Sequence, residues 1–211
     1  MSKYHRLWDQ PAEDWDRDYA SGELDFYGSF REQGRYSVLV GFVHAFPRKP
    51  RVLDLGSGVG VLRARIPDAA IAGYVGIDPS AVAVDLGSKQ KFPMSAFQVG
   101  DRPTPDTGAF DIIILNEMIY YVEDVEGLLD HLEGYLADDG WIVSSMFQHP
   151  GDVALRRTLA ERLTEFESLT ISRESPRKAW RLACYAKKPA AIPSAVVEDH
   201  PLEPSLGVAT H

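Results

Sequence analysis

The chain is poor in cysteine and in long apolar runs. Cys184 is its only thiol, which excludes an internal disulfide and a zinc site built from several cysteines, so we predict no metal site and a cytoplasmic location. No uninterrupted apolar run approaches the length of a membrane span, and residues 1–24 lack the apolar core of a signal peptide. We therefore expect neither export nor a membrane partner.

An excess of basic residues is also missing. Lysine and arginine together number 22 against 31 aspartates and glutamates, which gives a net charge of −9. A protein that binds by neutralising phosphates is expected to show the opposite balance. The composition therefore argues against a nucleic-acid partner and favours a small-molecule substrate, bound by a monomer or homodimer.

What is present is typical of one folded domain. Apolar residues make up 45% of the chain and charged residues 25%, as in ordinary globular proteins. Residues 1–29 are polar and aromatic, and they can be ordered only if their rings dock on something. They could form a lid over a site, or Trp8 and Trp15 could merely seal the end of a sheet. Residues 30–188 form the main domain, and the Pro-rich residues 189–211 are expected to be a disordered tail.

Apolar periodicity predicts strands that alternate with helices, with Gly140 as the stop of one helix. This order implies right-handed crossovers and a mostly parallel, doubly wound α/β sheet with an antiparallel closing pair. The predicted strands are 51–55, 71–78, 95–100, 110–116, 141–147, 168–174 and 179–188, and the predicted helices are 30–46, 59–66, 79–90, 125–136 and 155–166.

The glycine-rich stretch VLDLGSGVG, residues 52–60, follows the first of these strands. In a parallel sheet such a turn lets the backbone approach a ligand at the carboxyl ends of the strands. The dinucleotide fingerprint requires a third glycine where this chain has Val61, and no Gly-Lys-Ser/Thr follows for a P-loop. The turn by itself leaves the ligand open.

Three acids stand at or near the ends of successive predicted strands: Asp54, Asp78 and Asp101. Asp78 ends the strand YVGID, where a carboxylate can accept both hydroxyls of a ribose. Asp101, in FQVGD, could accept the exocyclic amine of an adenine. Each acid alone could be a turn former or helix cap, but together they favour an adenosine ligand.

The ordered series VLDLGSGVG, YVGID, VGD, FDIIILNEMIYYVED and LADDGWIV resembles that of class I S-adenosylmethionine-dependent methyltransferases, over roughly residues 30–187. The resemblance implies a Rossmann-like sheet of seven strands with an antiparallel last strand, and S-adenosyl-L-methionine as the cofactor. It implies that the glycine turn passes under the methionine part, Asp54 organises that turn, and Asn116 contacts the same end through its backbone. The expected cofactor contacts are Asp54, Gly56, Ser57, Gly58, Gly60, Asp78, Pro79, Asp101, Asn116 and Tyr36.

The acceptor is expected over NEMIYYVED, residues 116–124. The absence of Pro-Pro after Asn116 argues against nucleobase and glutamine acceptors. Tyr120 and Tyr121 could orient the acceptor or hold a developing ammonium, or could simply pack a short helix. His149 is the predicted general base, with an ordinary loop residue as the alternative. Glu117 and Asp124 are acids nearby, and Asp124 could cap the helix at Val125.

We therefore predict a small-molecule methyltransferase. N-methylation is slightly favoured, because LNEMIYYVED is similar to small N-methyltransferases of the nodulation-factor type. An O-methyltransferase on a hydroxyl or carboxylate of a metabolite or sugar is the alternative. A non-catalytic S-adenosylmethionine-binding protein would be expected to lose the glycines or Asp78, and a nicotinamide-dependent oxidoreductase would be expected to have glycine at position 61; the sequence shows neither feature.

Overall fold

A seven-stranded sheet forms the centre of the computed structural model, which describes residues 11–148, 152–173 and 175–188. The order across the sheet is β3-β2-β1-β4-β5-β7-β6. The last strand along the chain runs antiparallel to both of its neighbours, and the other pairings are parallel. The predicted fold class is confirmed. The strands are β1 Arg51–Leu55, β2 Gly73–Asp78, β3 Ser95–Val99, β4 Phe110–Asn116, β5 Leu136–Phe147, β6 Leu163–Arg173 and β7 Ser175–Lys187.

Helices and buried side chains cover both faces of this sheet. Val52 packs under the helix Gln33–Ala45 on one face, while Leu53 and Leu55 pack with the helices Val125–Glu133 and Asp152–Arg162 on the other, as alternation along a strand requires. The central strand β4 is buried along nearly its whole length, which agrees with its unbroken apolar sequence. The helices are α1 Ala12–Ser21, α2 Gln33–Ala45, α3 Ala81–Lys89, α4 Val125–Glu133 and α5 Asp152–Arg162.

Strand register brings the motif residues to one edge. Leu55 of β1 pairs with Ile77 of β2 and with Leu115 of β4. The next residues along these three strands are Gly56, Asp78 and Asn116, so the glycine turn, the second acid and the start of the acceptor segment emerge side by side.

The helix predicted over residues 59–66 is wrong. The chain forms a turn there, followed by a short 3-10 helix at Arg63–Arg65. The side chain of Arg63 is fully buried and donates hydrogen bonds to Ser95 Oγ at 2.7 Å and to the Pro93 carbonyl at 2.9 Å. These contacts tie the segment to the start of β3, and an α-helix would carry the guanidinium away from them.

The predicted stop at Gly140 is also wrong. Helix α4 ends at Glu133, where the Gly134 N–H donates to the His131 carbonyl and the Tyr135 N–H to the Leu132 carbonyl, and β5 already begins at Leu136. Gly140 lies inside β5, where an added Cβ would meet the Leu136 side chain at 2.7 Å. Likewise α5 ends at Arg162, and the residues predicted as its last turn belong to β6.

Candidate active site

A cavity of about 230 Å³ lies at the carboxyl ends of β1, β2 and β4. Nine of the predicted site residues line it: Tyr36, Gly56, Ser57, Gly58, Asp78, Pro79, Asp101, Asn116 and Tyr121. Asp54, Gly60 and Tyr120 are not among the described residues in its wall, and His149 lies outside the described residues. The sequence motifs therefore converge on one site, although not every predicted residue reaches its surface.

The glycine turn has a backbone conformation that other residues rarely adopt. Gly56, Gly58 and Gly60 have φ angles of +74°, +53° and +81°. An added Cβ would lie 2.7 Å from Met118 Cβ at Gly56, 2.6 Å from Tyr19 Oη at Gly58 and 2.8 Å from the Phe97 ring at Gly60. The first two glycines thus allow close approach inside the cavity, and the third allows an aromatic ring to pack behind the turn.

Asp78 fixes the turn to the end of β2. Its carboxylate accepts hydrogen bonds from the Gly58 N–H at 2.8 Å and from the Ser80 N–H at 2.9 Å. Burial raises the pKa of this carboxyl group to about 6. Since a carboxylate has roughly four acceptor positions, two remain on a group that faces the cavity. That is the arrangement expected of a residue that accepts ribose hydroxyls.

Asp54 lies beneath the turn and is 1% exposed. One carboxylate oxygen accepts the Tyr74 hydroxyl at 2.5 Å, while Oδ1 has no hydrogen-bond partner among the described residues. Burial raises the pKa of this carboxyl group to about 7. A buried acid with one oxygen unsatisfied suits a site that receives a cation close by.

Asp101 and Asn116 occupy opposite sides of the cavity. Asp101 is exposed and pairs with Arg102 at 2.9 Å, which lowers the pKa of its carboxyl group. The side-chain oxygen of Asn116 accepts a hydrogen bond from the buried guanidinium of Arg35. Asn116 therefore lines the cavity with its side chain held by Arg35, and Asp101 stands at the rim of the cavity.

Three aromatic residues from the N-terminal segment line the cavity: Trp15, Tyr19 and Tyr27, here called the aromatic cover. The helix that carries the first two is fixed by Asp16, whose Oδ1 accepts the Ser80 hydroxyl at 2.6 Å and the Val82 N–H at 3.0 Å. These rings do dock, on the cavity itself, although Trp8 lies outside the described residues. The sequence identifies Tyr19 only as one of several aromatic residues in this segment, because its position over Gly58 is a tertiary contact.

The two predicted tyrosines of the acceptor segment have different surroundings. Tyr121 lines the cavity and meets Trp15 edge to face at 5.0 Å between ring centroids. The Tyr120 hydroxyl donates to Glu117 at 2.6 Å. Glu117 lines the cavity too, and sequence reasoning noted it only as a nearby acid.

Two observations therefore stand together: a glycine turn held by Asp78 and an acidic cavity at the edge of a seven-stranded sheet. A family model described as a methyltransferase domain matches residues 28–188. The chain belongs to the methyltransferase-domain family. The resemblance drawn from the motif series is confirmed, and with it the assignment as an enzyme that uses S-adenosyl-L-methionine. None of the curated proteins compared with the sequence matches it.

Solved structures of methyltransferases share the fold. The N-methyltransferase NodS from Bradyrhizobium japonicum WM9 is 18% identical with a TM-score of 0.64, over 74% of this chain and 96% of that one. The 1,6-didemethyltoxoflavin-N1-methyltransferase of Burkholderia thailandensis is 18% identical with a TM-score of 0.65, over 89% and 91%. Magnesium protoporphyrin IX methyltransferase of Synechocystis PCC 6803 is 16% identical with a TM-score of 0.65, over 83% and 98%. At these identities the likeness concerns the fold.

Proposed function

We propose that this methyltransferase transfers a methyl group to a nitrogen atom of a small-molecule acceptor. The observation that carries the proposal is the cavity next to the glycine turn, whose lining includes the aromatic cover and Tyr121. A half-open cavity of about 230 Å³ with this aromatic lining suits a small acceptor better than a polymer. The net charge of −9 points the same way, away from nucleic acid.

The described residues fit the methyl donor. Gly56, Ser57 and Gly58 would lie under its methionine part, with Asp54 below them providing negative charge. Asp78 would accept the ribose hydroxyls, with Pro79 beside it, and Asp101 would accept the adenine amine at the rim. Tyr36 and the Asn116 backbone would complete the methionine end. When bound, the donor supplies a methyl group made electrophilic by a positively charged sulfur, which suits an acidic cavity.

A nitrogen acceptor is supported by the aromatic residues that line the cavity. Tyr27 and Tyr121 offer aromatic faces, which stabilise the positive charge that develops on nitrogen as it gains a methyl group. Holding the acceptor in line with the methyl group supplies much of the rate acceleration in such a displacement. The residues that line the cavity would hold the acceptor in this position. Two of the structural neighbours named above are themselves described as N-methyltransferases.

The proposal predicts a clear order of ligand affinities. By calorimetry, S-adenosylmethionine and S-adenosylhomocysteine should bind far more tightly than NAD, because the turn has Val61 where a pyrophosphate site needs glycine. With a labelled methyl donor, transfer should be seen to amines in a panel of paired amines and alcohols. A preference for NAD would refute the donor assignment. Transfer to alcohols or acids alone would show an O-methyltransferase, and binding without transfer would favour a non-catalytic role.

Binding of S-adenosylhomocysteine should strengthen as the pH rises from 6 to 8. Burial raises the pKa of Asp54 to about 7 and that of Asp78 to about 6, and both acids are expected to act in their charged forms. Because both must be charged, the competent form falls to about a twentieth at pH 6, so affinity should be roughly twentyfold weaker than at pH 8. Calorimetry at several pH values measures this change.

The stability of the ligand-free protein should change with pH in the opposite direction to the binding affinity. Because both pKa values are raised above those of the unfolded chain, the native state binds more protons between about pH 4 and pH 7, so these two groups reduce stability as the pH rises through that window. Asp54→Asn should reduce the pH dependence of both ligand binding and stability. A pH dependence of binding that is unchanged in this variant would contradict the assignment.

A further inference from the structure

Glu117 has an unusual backbone conformation. It follows the last residue of β4 with φ +58°, one of three non-glycine residues with positive φ in the described part of the chain. A side chain in this left-handed region is strained, and such strain persists only where the surroundings impose it. Here the Glu117 N–H donates to the Ser145 carbonyl of β5 at 2.9 Å, which holds the strained residue against the sheet.

Its carboxylate is held from three separate elements. Oε2 accepts the Tyr120 hydroxyl at 2.6 Å and the Trp180 indole N–H of β7 at 3.2 Å, and Oε1 accepts the Ser145 hydroxyl at 3.3 Å. Three of roughly four acceptor positions are therefore used, and one remains on Oε1. Since Glu117 lines the cavity, the carboxylate is oriented with acceptor capacity left for a ligand.

The nearby cation has other partners. Arg35 is the charged group that most lowers the pKa of Glu117, against the raising effect of burial. Its guanidinium donates to Glu32 at 3.1 Å and to the Asn116 side chain, and none of the described hydrogen bonds joins it to Glu117. The Glu117 carboxylate thus lacks a direct ion pair in the described part of the chain, while Tyr27 and Tyr121 line the same cavity.

We propose that Glu117 is a catalytic residue that binds the acceptor as a protonated amine and directs its nitrogen at the methyl group. This inference rests on the proposed function and deepens it, because it names the acceptor class as a cationic amine. A fixed carboxylate beside aromatic rings binds an ammonium by a charge-assisted hydrogen bond and cation–π contact, whereas a neutral alcohol gains less and a carboxylate is repelled. Tyr120 then acts as a positioning residue, through its hydrogen bond to Glu117.

The proton balance follows from the same contact. An ammonium N–H bond breaks and its proton passes to the Glu117 carboxylate, which frees the nitrogen lone pair. That lone pair forms the bond to the methyl carbon as the methyl–sulfur bond breaks, and the electron pair of that bond stays on sulfur. Glu117 then releases the proton to solvent. Burial raises the pKa of the carboxyl group, which favours this uptake.

The test uses two cofactor analogues, so the natural acceptor is not needed. S-adenosylhomocysteine lacks the methyl group, while sinefungin has a carbon bearing a primary amine in place of the sulfur and its methyl. A carboxylate that faces the transferring methyl group should bind that amine. By calorimetry, we expect Glu117→Gln to bind sinefungin at least tenfold more weakly than the wild-type protein does. Its affinity for S-adenosylhomocysteine should change by less than about twofold.

The outcomes separate the two hypotheses. If both ligands bind the wild-type protein and the Glu117→Gln change leaves their affinity ratio unaltered, even through equal losses, Glu117 has only a structural role and the inference is wrong. If the wild-type protein binds neither ligand, the proposed function fails and takes the inference with it. Glu126→Gln, an exposed acid in the first turn of α4, is the matched control and should alter neither affinity.

Discussion

Replacing Asp78 with alanine should weaken S-adenosylhomocysteine binding at least 100-fold. The carboxylate accepts the Gly58 and Ser80 N–H groups at 2.8 Å and 2.9 Å, so the change removes the group that joins the glycine turn to β2. It also leaves ribose hydroxyls without their expected acceptor. Each unsatisfied polar group costs about 1–3 kcal/mol, and roughly 3 kcal/mol in total corresponds to a 100-fold loss of affinity. Calorimetry measures the loss directly.

Asp85→Ala is the control for this change. Asp85 lies on α3, close in sequence to Asp78, but its side chain is 60% exposed and pairs with Lys89 on the protein surface. It should leave the affinity unaltered, and circular dichroism should show that both variants are folded. Near-normal affinity in folded Asp78→Ala would mean that the ribose lies elsewhere.

Gly56→Ala should reduce methyl transfer roughly 100-fold, the scale of effect expected when reacting groups are misplaced by about 1 Å. The position has φ +74°, and its added Cβ would lie 2.7 Å from Met118 Cβ. Both atoms are attached directly to backbone, so either the turn or the acceptor segment must move. Left-handed alanine adds a stability cost of about 1–2 kcal/mol. Transfer assays and thermal unfolding would measure the two effects separately.

Alanine substitutions at two other glycines test whether the loss of activity in Gly56→Ala is caused by the steric clash. At Gly58 the closest atom is the Tyr19 hydroxyl oxygen at 2.6 Å, which can be removed. Tyr19→Phe should therefore restore part of the activity lost in Gly58→Ala, whereas Met118→Ala should not rescue Gly56→Ala because the clashing Cβ remains. Gly34→Ala, in α2 with nothing within 4 Å, should be harmless or slightly stabilising. Equal losses at all three positions would contradict the steric cause.

The sequence was most informative where local pattern and tertiary environment agree. The bounds of β1 and β4 match the prediction, because their apolar runs are buried on both faces and end at polar or glycine residues. Asp78 and the glycine turn were found in the same way, since their order along the chain follows the order of the strands. The prediction of a helix over residues 59–66 was wrong because Arg63 sets the backbone there. Its hydrogen-bond partners lie near β3, and local periodicity does not reveal them.

The acceptor side of the site was harder to predict for the same reason. Glu117 is held by Trp180 and Ser145, which are far away in sequence and meet it only through the pairing of β4, β5 and β7. Its positive φ has no marker in the letters NEMIYY. The docking of Tyr19 on Gly58 likewise joins two segments with no shared motif. The residues proposed to bind the cofactor follow a local sequence pattern, whereas those proposed to face the acceptor depend on long-range contacts.

The aromatic cover has an evolutionary consequence. Trp15, Tyr19 and Tyr27 all precede residue 28, where the match to the family model begins, while the glycine turn, Asp78 and Glu117 lie within it. One stretch of chain therefore carries the residues proposed to hold the methyl donor, and another supplies part of the wall proposed to meet the acceptor. Substitutions in the short N-terminal stretch can change which molecules fit without altering the sheet. We therefore expect methyltransferases that share this frame to differ in acceptor through changes in this stretch.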